Sequence, residues 1–345
     1  MGRDLISRPY GRFFYLPLEL AKLGHAIDVI TFNFRPAADE TLAVQGMRWH
    51  SISLAAAPWS VWRRICQVAR VVEPDWVIGC SDIWFGLVAA RLARKFQARV
   101  AIDAYDNFEA YLPYAKPLHW AWRHAIAEAD LVTVAGPSLQ DQLGQNRADR
   151  LPVIIPMAPD PSGFFARDRF RARAGLGLDP TRRYIGYAGS IARSRGIEQL
   201  FEAYDLLQRD LPDISLLLSG RLEHGLTLPP GTQYLGYVAD AVVPQIINSL
   251  DVMVIVNRAS NFGHFSYPIK LYEAMQCGLP VVVSRTRSTE WVLREHPELL
   301  VDTGDPNAIV ASLNRALALG SIDYAPLPTW AQGALEYQRA LLAAD

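Results

Sequence analysis

Residues 265–284 read FSYPIKLYEAMQCGLPVVVS and specify a helix followed by a buried strand. Pro268 suits the start of a helix, because its missing N–H would have had no intrahelical partner there. Gly278 can end the helix in the left-handed conformation, and Pro280 prevents its continuation. Residues 281–283 are all Val, which is typical of a strand buried on both faces of a parallel sheet. The stretch therefore predicts one helix-to-strand unit of an open α/β sheet.

Two charged side chains mark the amino-terminal half of this helix. Lys270 and Glu273 are three residues apart and project from one face. A helix amino terminus offers free N–H groups and the positive end of a dipole, which suit a phosphate. A cation beside it could hold a diphosphate, and a carboxylate one turn further could accept both hydroxyls of a ribose. The pattern suggests nucleotide binding; an ordinary amphipathic helix with solvated Lys and Glu is the alternative.

The overall composition is that of a soluble globular protein. The chain has 345 residues, of which 50% are hydrophobic and 20% charged, and this length predicts two domains. A net charge of −1 gives no indication of a nucleic-acid partner. Cys66, Cys80 and Cys277 share neither metal-ligand spacing nor a disulfide framework. Without an apolar run of roughly eighteen residues or a signal peptide, a cytoplasmic location is expected.

Predicted strands and helices alternate along the whole chain, which favours parallel sheets covered by helices on both faces. The segment 156–163 is rich in Pro and Gly and is expected to join two domains. We place an N-terminal domain at 1–160, a C-terminal domain at 161–325 and a closing helix at 326–345, with Thr329 as its N-cap. The predicted fold class is α/β with two Rossmann-like doubly wound domains.

The first domain has no recognisable opening strand. Doubly wound domains begin with a central strand before the first glycine loop, yet residues 1–7 offer only Leu5 and Ile6 as strand-forming apolar residues. A sheet without its central strand would leave backbone groups unpaired in the core, at considerable cost. The pattern therefore leads us to expect that the recorded start is truncated.

The stretch 265–284 resembles the nucleotide-sugar site of retaining GT-B glycosyltransferases of the family 4 type (group 1). In that family a helix carrying Glu-Ala-Met is followed by x-x-Gly-x-Pro-Val-Val. The resemblance implies that Glu273 binds the ribose and that Lys270 lies near the phosphates. The family usually has two glutamates eight apart, and here the first position is Phe265, so a branch with Ser/Pro-x-Lys-x-x-Glu is nearer. It also implies two domains that face a central cleft, with the closing helix returning to the N-terminal domain.

A second motif lies at 186–196, which reads GYAGSIARSRG. Glycines let backbone amides approach a ligand, and arginines next to a helix start can pair with phosphate oxygens. The segment resembles the family's Gly-Arg-x-x-x-x-Lys-Gly loop, with Gly189 matching its first Gly, Ser190 replacing the Arg and Arg195 replacing the Lys. We expect Arg195 to hold the diphosphate and keep Arg193 as a substitute for the missing charge. A solvated basic turn is the alternative.

Residues 234–238 (YLGYV) resemble the short strand whose end contacts the nucleotide base in such enzymes. A buried strand without contact to a ligand is the alternative. The complete set of residues expected to bind the nucleotide sugar is Gly189, Ser190, Arg193, Arg195, Gly236, Tyr237, Ser266, Tyr267, Lys270 and Glu273.

Two segments of the first half carry candidate acceptor-side residues. Gly11 and Arg12 resemble the family's first glycine loop, where Arg12 could meet an anionic acceptor or the leaving diphosphate. Asp103 and Asp106 follow a predicted strand, at the edge where open α/β sheets place ligands, and carboxylates there suit general base work. The matching family loop often presents His-Asp; Asp106 falls on the Asp, and Tyr105 replaces the His. Asp106 is the expected catalytic residue of this domain, capping is its alternative, and the acceptor-side set is Gly11, Arg12, Asp103 and Asn107.

The resemblance implies a retaining glycosyltransferase that moves a sugar from a UDP-, GDP- or other nucleoside diphosphate sugar to a hydroxyl acceptor. Its setting would be cell-envelope, polysaccharide or glycoconjugate synthesis. Arg195 and Lys270 would stabilise the charge that develops on the leaving group. No metal and no cofactor are expected, since the chain has no Asp-x-Asp. Two alternatives stay open: a nucleotide-sugar 2-epimerase on the same fold, and a non-catalytic protein that binds a nucleotide sugar.

The expected partners are a nucleotide-sugar donor and a sugar or lipid-linked acceptor, without nucleic acid. A predicted helix over 59–72 could contact anionic lipid at the inner face of the membrane, or could be a solvated face. Its relevant residues are Trp59, Trp62, Arg63, Arg64 and Arg70. The absence of Gly-x-Gly-x-x-Gly after a predicted strand argues against a dinucleotide dehydrogenase. The nucleotide base, the sugar, the acceptor and the linkage are not encoded in a readable motif.

Overall fold

The computed structural model describes residues 4–34, 38–55, 57–147, 150–258, 260 and 262–344. The helices are α1 (Asp4–Ser7), α2 (Arg12–Lys22), α3 (Pro58–Val72), α4 (Ile83–Phe96), α5 (Lys116–Glu128), α6 (Pro137–Gly144), α7 (Arg169–Gly175), α8 (Ile197–Asp210), α9 (Val243–Ser249), α10 (Ile269–Gln276), α11 (Arg287–Val292), α12 (Pro306–Leu319) and α13 (Trp330–Ala343). The strands are β1 (Asp28–Asn33), β2 (Glu40–Val44), β3 (Met47–Ser53), β4 (Trp76–Cys80), β5 (Arg99–Ala104), β6 (Leu131–Val134), β7 (Val153–Ile154), β8 (Arg183–Ala188), β9 (Ile214–Ser219), β10 (Gln233–Tyr234), β11 (Val252–Ile255), β12 (Val281–Ser284) and β13 (Leu300–Val301).

The helix and strand predicted from residues 265–284 are confirmed. Pro268 is the N-cap of α10, and Gly278 follows the helix with a φ of +66°. All four residues of β12 are buried. Leu271 and Met275 of α10 pack beneath the sheet together with Val281 and Val283. The turn residues Pro268 and Gly278 and the apolar pattern therefore specify the same helix and strand.

The chain divides into two compact units: Met1–Ala158 with Pro328–Asp345, and Pro159–Leu327. The boundaries fall close to the positions 160 and 325 expected from the sequence. The second unit contains a six-stranded sheet in the order β10-β9-β8-β11-β12-β13, and all its pairs are parallel. Alternate residues of its strands face opposite sides, so α8 and α12 cover one core and α9 and α10 the other.

The sheet of the first unit is in two pieces. β1, β3 and β2 form a three-stranded sheet, in which β1 is parallel and β2 antiparallel to β3. β4, β5, β6 and β7 form a four-stranded parallel sheet. Among the described residues no strand pairs with the second edge of β1 or of β4. Residues Asp4–Ser7, which the sequence marks as too weak for an opening strand, form the short helix α1.

The closing helix α13 packs within the first unit, as predicted. Thr329 is its N-cap and forms a capping box with the third residue of the helix. The Trp330 ring stacks on Tyr15 of α2 with ring centroids 6.2 Å apart. Gln338 Nε2 of α13 lies 3.0 Å from His25 Nε2, just after the end of α2. These contacts fix α13 against α2.

Candidate functional site

Lys270 is the first charged residue of α10 and lies at the carboxyl end of β8. Its Nζ donates a hydrogen bond to the Ala188 carbonyl oxygen at 3.0 Å and lies 4.8 Å from the centroid of the Tyr187 ring. A Cβ built on Gly189 would lie 2.5 Å from this Nζ, and the φ of Gly189 is +141°. The φ of Gly189 favours glycine there, and a Cβ at this position would have to displace the end of the Lys270 side chain.

Arg195 provides a second positive charge at this strand end. It belongs to the single 3₁₀ turn Arg193–Arg195 that precedes α8. Its guanidinium carbon lies 5.0 Å from the centroid of the Phe262 ring. Within the described ranges, no carboxylate pairs with the Arg195 guanidinium. Burial, followed by the charge of Arg195, lowers the pKa of Lys270 to about 8. The charge of Glu273 opposes this shift. Two interacting cations, neither of them in an ion pair among the described residues, are typical of an anion site.

Glu273 lies one turn further along α10. The residue is 8% exposed, and its carboxylate has no hydrogen bond or ion pair among the residues that the structure describes. Burial raises the pKa of Glu273 to about 7; Lys270 opposes this shift, while Asp160 and Asp240 add to it. A buried carboxylate without a donor is energetically costly, so it is a ready acceptor for ligand hydroxyls.

Arg193 has a different environment from Arg195, although the two are two positions apart. Its Nε lies 3.2 Å from Glu198 Oε1, and its backbone N–H and Nη1 contact the Glu223 carboxylate at 2.7 and 3.4 Å. Nη2 also donates to the Gly225 carbonyl at 2.8 Å. The expectation that Arg193 supplies a free charge to the ligand therefore needs correction, because its charge is already matched by two carboxylates.

The remaining expected donor-side residues differ in burial and in their contacts. Ser190 is exposed, and its carbonyl accepts the Tyr187 hydroxyl at 2.9 Å. The Ser266 carbonyl accepts the Ser288 hydroxyl at 2.6 Å, which fixes the start of α10. Tyr267 is buried, with its ring edge-on to Trp291 at 5.9 Å. Its ring is therefore part of the packed interior of this unit.

Gly220, at the end of β9, is a residue that the sequence reasoning missed. Its φ is +131°, and a Cβ there would overlap the Gly189 carbonyl oxygen. Its N–H donates to the Gly236 carbonyl at 2.8 Å. Gly236 turns the chain with a φ of +70°, so the predicted strand is shortened to Gln233–Tyr234 and Tyr237 is left 59% exposed. In the sequence, the pair Ser219-Gly220 directly after the apolar run 214–218 was the signal that could have identified this glycine.

Arg12 and Asp103 of the first unit form a buried ion pair. Arg12 Nε and Nη2 donate to the two Asp103 oxygens at 2.7 Å each, and Nη1 donates to the Ile155 carbonyl at 2.6 Å. Asp103 also accepts the Thr133 hydroxyl at 2.6 Å. The side chains are 1% and 5% exposed. The expectation that they meet the acceptor therefore needs correction: each satisfies the other inside the unit. Gly11, with a φ of +69°, starts α2 beside them.

Asp106 and Asn107 are also occupied by neighbouring groups. Asp106 accepts the Asn107 backbone N–H at 3.0 Å and the Tyr111 hydroxyl at 2.8 Å. The Asn107 side chain accepts from Gln142 Nε2 at 3.1 Å. Both residues are buried. These bonds leave no carboxylate oxygen of Asp106 without a donor from its own loop.

A cavity of about 260 Å³ opens where β4 and β5 end. Its aromatic walls include Trp84 and Tyr111, which are 55% and 50% exposed. Ser81 lies at the strand end with a φ of +92°, which is rare for a residue other than glycine and marks stored strain. Asp82 accepts the Trp84 N–H at 2.8 Å. The full lining is Ser81, Asp82, Ile83, Trp84, Tyr105, Phe108, Tyr111 and Leu112.

Ser81, Asp82 and Trp84 were missed at the sequence level. The rule that singled out Asp103 and Asp106, namely polar residues directly after a predicted strand, applies equally to Ser81 and Asp82. Among the described residues, no group of three or more His, Cys, Asp or Glu side chains is arranged to hold a metal ion.

Two family models match the chain, one in each unit. Residues 16–158 match the glycosyl transferase 4-like domain, and residues 182–318 match the glycosyl transferases group 1 domain. Together they cover most of the chain, including Lys270 and Glu273.

Curated relatives are similar over part of their length. The putative teichuronic acid biosynthesis glycosyltransferase TuaC of Bacillus subtilis is 24% identical over 250 residues, which is 71% of this chain and 62% of the relative. The D-inositol 3-phosphate glycosyltransferase of Mycolicibacterium gilvum is 27% identical over 229 residues, 61% of this chain and 51% of the relative. The chain thus spans less than two thirds of these relatives.

Solved structures share the fold at low identity. Sucrose-phosphate synthase from Thermosynechococcus elongatus superposes with a TM-score of 0.76 at 20% identity, covering 96% of this chain and 93% of that one. Anabaena HepE in complex with UDP-glucose superposes with a TM-score of 0.68 at 16% identity, covering 95% and 92%. The fold is GT-B, as the resemblance implied.

Proposed function

Because the chain belongs to the glycosyl transferases of group 1, we propose that it moves a sugar from a nucleoside diphosphate sugar to an acceptor hydroxyl with retention of anomeric configuration. The observation that carries the proposal is the charge pattern of the second unit. Arg195 and Lys270 lie together without a carboxylate partner among the described residues, and the unpartnered Glu273 lies one turn away. This pattern fits a diphosphate joined to a ribose.

In the proposed reaction the bond between the anomeric carbon and the diphosphate oxygen breaks, and a bond to the acceptor oxygen forms on the same face of the sugar. The acceptor proton passes to the departing phosphate oxygen. Arg195 and Lys270 stabilise the negative charge that develops on that phosphate. Glu273 holds the ribose hydroxyls and so fixes the nucleotide. Gly189 allows the diphosphate to approach Lys270. We propose that these cations make a metal ion unnecessary.

The donor is the first property to test. Anabaena HepE was solved with UDP and with UDP-glucose, so UDP-sugars are the first choice in a thermal-shift screen that also includes GDP-, ADP- and dTDP-sugars. A donor that binds is then incubated with acceptor sugars in the presence and absence of EDTA, and the product anomer is assigned by NMR. Transfer with retention in EDTA supports the proposal. Exchange at C2 without an acceptor would instead indicate an epimerase, and binding without either reaction a non-catalytic protein.

Donor binding should be tightest between about pH 7 and pH 8. Below the pKa of about 7, Glu273 is protonated and can no longer accept from two hydroxyls. Above the pKa of about 8, Lys270 loses the charge that attracts the diphosphate. The dissociation constant of UDP, or of the base identified in the screen, should therefore rise on both sides, approaching tenfold per pH unit. Isothermal titration calorimetry, repeated from about pH 5.5 to about pH 9.5 in steps of roughly half a pH unit, measures this dissociation constant.

Two variants separate the limbs of that pH profile. Glu273→Gln should remove the acid limb and keep the alkaline one, while weakening binding at neutral pH about tenfold to a hundredfold. Gln276→Ala changes an exposed residue of the same helix and should leave both limbs unchanged. An acid limb that persists in Glu273→Gln would show that another group titrates.

We assign the acceptor to the aromatic cavity of the first unit. It lies at the carboxyl ends of β4 and β5, the edge at which open α/β sheets bind ligands. Flat apolar walls with a few polar groups suit a sugar ring, whose faces are apolar and whose rim carries hydroxyls. Trp84 and Tyr111 supply the walls, and Asp82 and Tyr105 supply polar groups. Asp106 has a supporting role, since it holds the Tyr111 hydroxyl at 2.8 Å.

Trp84→Ala should raise the KM for the acceptor about tenfold and leave donor binding unchanged, because an aromatic contact of this kind contributes roughly 1 kcal/mol beyond its buried area. Initial rates at saturating donor measure the KM. Trp120→Ala is the matched control: Trp120 is 72% exposed and stacks on His124, outside the cavity lining. Equal effects of the two substitutions on the KM for the acceptor would show that the acceptor does not bind in this cavity.

Contact with a lipid surface is proposed through Trp59 at the start of α3. Trp59 is 77% exposed, whereas Trp62 packs against the core with Arg91 above its ring, and Arg64 pairs with Asp39 at 3.0 Å. Trp59→Ala should therefore reduce co-sedimentation with anionic vesicles severalfold, and an unchanged bound fraction would remove this contact. No helix in the described part of the chain has the length and apolarity needed to cross a bilayer.

A further inference from the structure

The aromatic cavity of the first unit carries one negative side chain and no positive one. Its eight lining residues, all in the described part of the chain, include Asp82 but no Lys, Arg or His. Asp82 Oδ1 accepts the Trp84 N–H at 2.8 Å. Among the described residues no group donates to Asp82 Oδ2, and no cation forms an ion pair with this carboxylate. One carboxylate oxygen is therefore left for a ligand.

Asp82 also fills the position at which this cavity would otherwise attract an anion. It is the N-cap of α4, a helix of fourteen residues, and the residues from Asp82 to Trp84 all line the cavity. A helix amino terminus offers free N–H groups and the positive end of a dipole, which favour an anion. Here the N-cap carboxylate supplies that negative charge itself and accepts the Trp84 N–H. An anionic group of a ligand would therefore meet a like charge at this helix end.

The aromatic walls of the cavity act in the same direction. The Tyr105 ring lies edge-on to Phe13 at 5.1 Å and to Phe108 at 5.7 Å, and Phe108 stacks on Tyr111 at 6.3 Å. These ring contacts hold the walls in place. The face of an aromatic ring carries a negative partial charge, which attracts cations and the edges of apolar groups and disfavours anions. The walls and the Asp82 carboxylate thus have the same electrostatic sign.

The environment of the Tyr105 hydroxyl reports this sign. Burial is the largest cause that raises the pKa of Tyr105, and four groups that are negative when ionised raise it further. These groups are Asp106, Tyr10, Asp82 and Asp103, in order of decreasing effect. A negative charge on a ligand beside Tyr105 would be disfavoured for the same two reasons, namely burial and like charge.

Two arginines on elements next to the cavity are already paired with carboxylates. Arg12 of α2 donates to both oxygens of Asp103 at 2.7 Å. Arg123 of α5 donates to the two oxygens of Glu109 at 2.8 and 2.6 Å. Neither arginine lines the cavity. Their positive charges are therefore matched within the unit and do not offset that of Asp82.

We propose, on the basis of the proposed transfer reaction, that the acceptor ring bound in this cavity carries no negative charge. It is a neutral sugar or an amino sugar, and not a uronic acid or a sugar phosphate. Asp82 Oδ2 accepts a hydrogen bond from a hydroxyl or ammonium group of the ring, and the aromatic walls cover the apolar face of the ring. A carboxylate or phosphate on the same ring would be desolvated beside Asp82 without a cation to pair with it.

The test compares acceptors that differ only in charge, with one donor held at saturation. The pairs are methyl glucoside with methyl glucuronide, and mannose with mannose 6-phosphate; glucosamine is the positively charged member of the panel. We expect kcat/KM to be higher for the neutral member of each pair about 100-fold or more, and glucosamine to lie within about tenfold of the neutral sugars.

Asp82→Asn links that preference to one carboxylate. Asn is also a good N-cap, so the substitution removes the charge and keeps the helix start. The ratio of kcat/KM between neutral and anionic acceptors should fall about tenfold or more. Asp305→Asn is the matched control, because Asp305 is the N-cap of the fourteen-residue helix α12 in the second unit and accepts the Asn307 N–H at 2.9 Å. It should leave the ratio unchanged.

Binding of the same sugars without a donor is measured by saturation-transfer difference NMR, which does not depend on turnover. Signals from the neutral sugars that are lost in Trp84→Ala, with weak or no signals from their anionic partners, support the proposal. Anionic sugars that bind or react as well as the neutral ones overturn it, as does an unchanged ratio in Asp82→Asn or a lack of any sugar binding. Donor binding in the thermal-shift screen is the separate measurement on which the proposed function depends, so the two can fail independently.

Discussion

Replacing Arg195 with alanine should lower kcat/KM for the donor about 10³-fold, or roughly 4 kcal/mol of transition-state stabilisation. The reason is that the Arg195 guanidinium has no carboxylate partner among the described residues and lies close enough to Lys270 to lower its pKa. Its charge is therefore available to the leaving diphosphate. Most of the loss should fall on kcat, because the charge on the leaving phosphate increases as the reaction proceeds. Initial rates over a range of donor concentrations measure both parameters.

Arg193→Ala is the comparison that tests this assignment. Arg193 lies in the same 3₁₀ turn but is paired with Glu198 and Glu223. Its removal should lower kcat/KM no more than about tenfold, through a looser turn. A loss in Arg193→Ala that equals or exceeds the loss in Arg195→Ala would place the diphosphate on Arg193. Near-normal turnover of Arg195→Ala would show that the diphosphate does not bind at the proposed donor site.

Replacing Arg12 with methionine should destabilise the first unit by about 3–5 kcal/mol. The substitution keeps most of the side-chain volume but leaves Asp103 buried without its cationic partner, and the Ile155 carbonyl also loses its donor. Burial, followed by the charge of Asp103, already raises the pKa of Cys80 to about 12. Urea unfolding followed by tryptophan fluorescence measures the change, because most of the tryptophans are in this unit.

A second substitution distinguishes a structural Arg12 from an acceptor-binding one. Arg12→Met with Asp103→Leu removes both charges and should recover most of the lost stability, since apolar replacements of buried pairs are often close to neutral. Arg123→Met breaks a comparable bidentate pair with Glu109, but the Arg123 side chain is 56% exposed, so about 1 kcal/mol or less is expected. If Arg12→Met keeps full stability and raises the KM for the acceptor, Arg12 belongs to the acceptor site.

Local signals explain why α10 and its strand were predictable. Pro268 and Gly278 act on the backbone of their immediate neighbours, and the three valines that follow report burial through composition alone. Lys270 and Glu273 come together because both lie on one short helix. The site residues that the sequence identified best are thus those whose geometry depends on positions a few residues apart.

Contacts between distant positions explain the corrections. Arg12 and Asp103 are 91 positions apart, and Arg193 meets Glu223 across 30 positions. A motif shows that these residues carry charge at a strand or helix end, but it does not show which charge faces which. Arg193 and Arg195 are chemically identical and nearly adjacent, so no local rule separates the paired arginine from the free one.

The sequence by itself determined the alternation of strands and helices, the division into two units, and the cation and carboxylate on α10, because these depend on backbone preferences and apolar periodicity within short windows. Only the tertiary structure decided which charges are neutralised inside the protein and which are left for a ligand. It also decided that Ser81, Asp82 and Trp84 line one cavity. The physical reason is that ion pairing, burial and strand pairing depend on distances through space, which the order of residues along the chain does not contain.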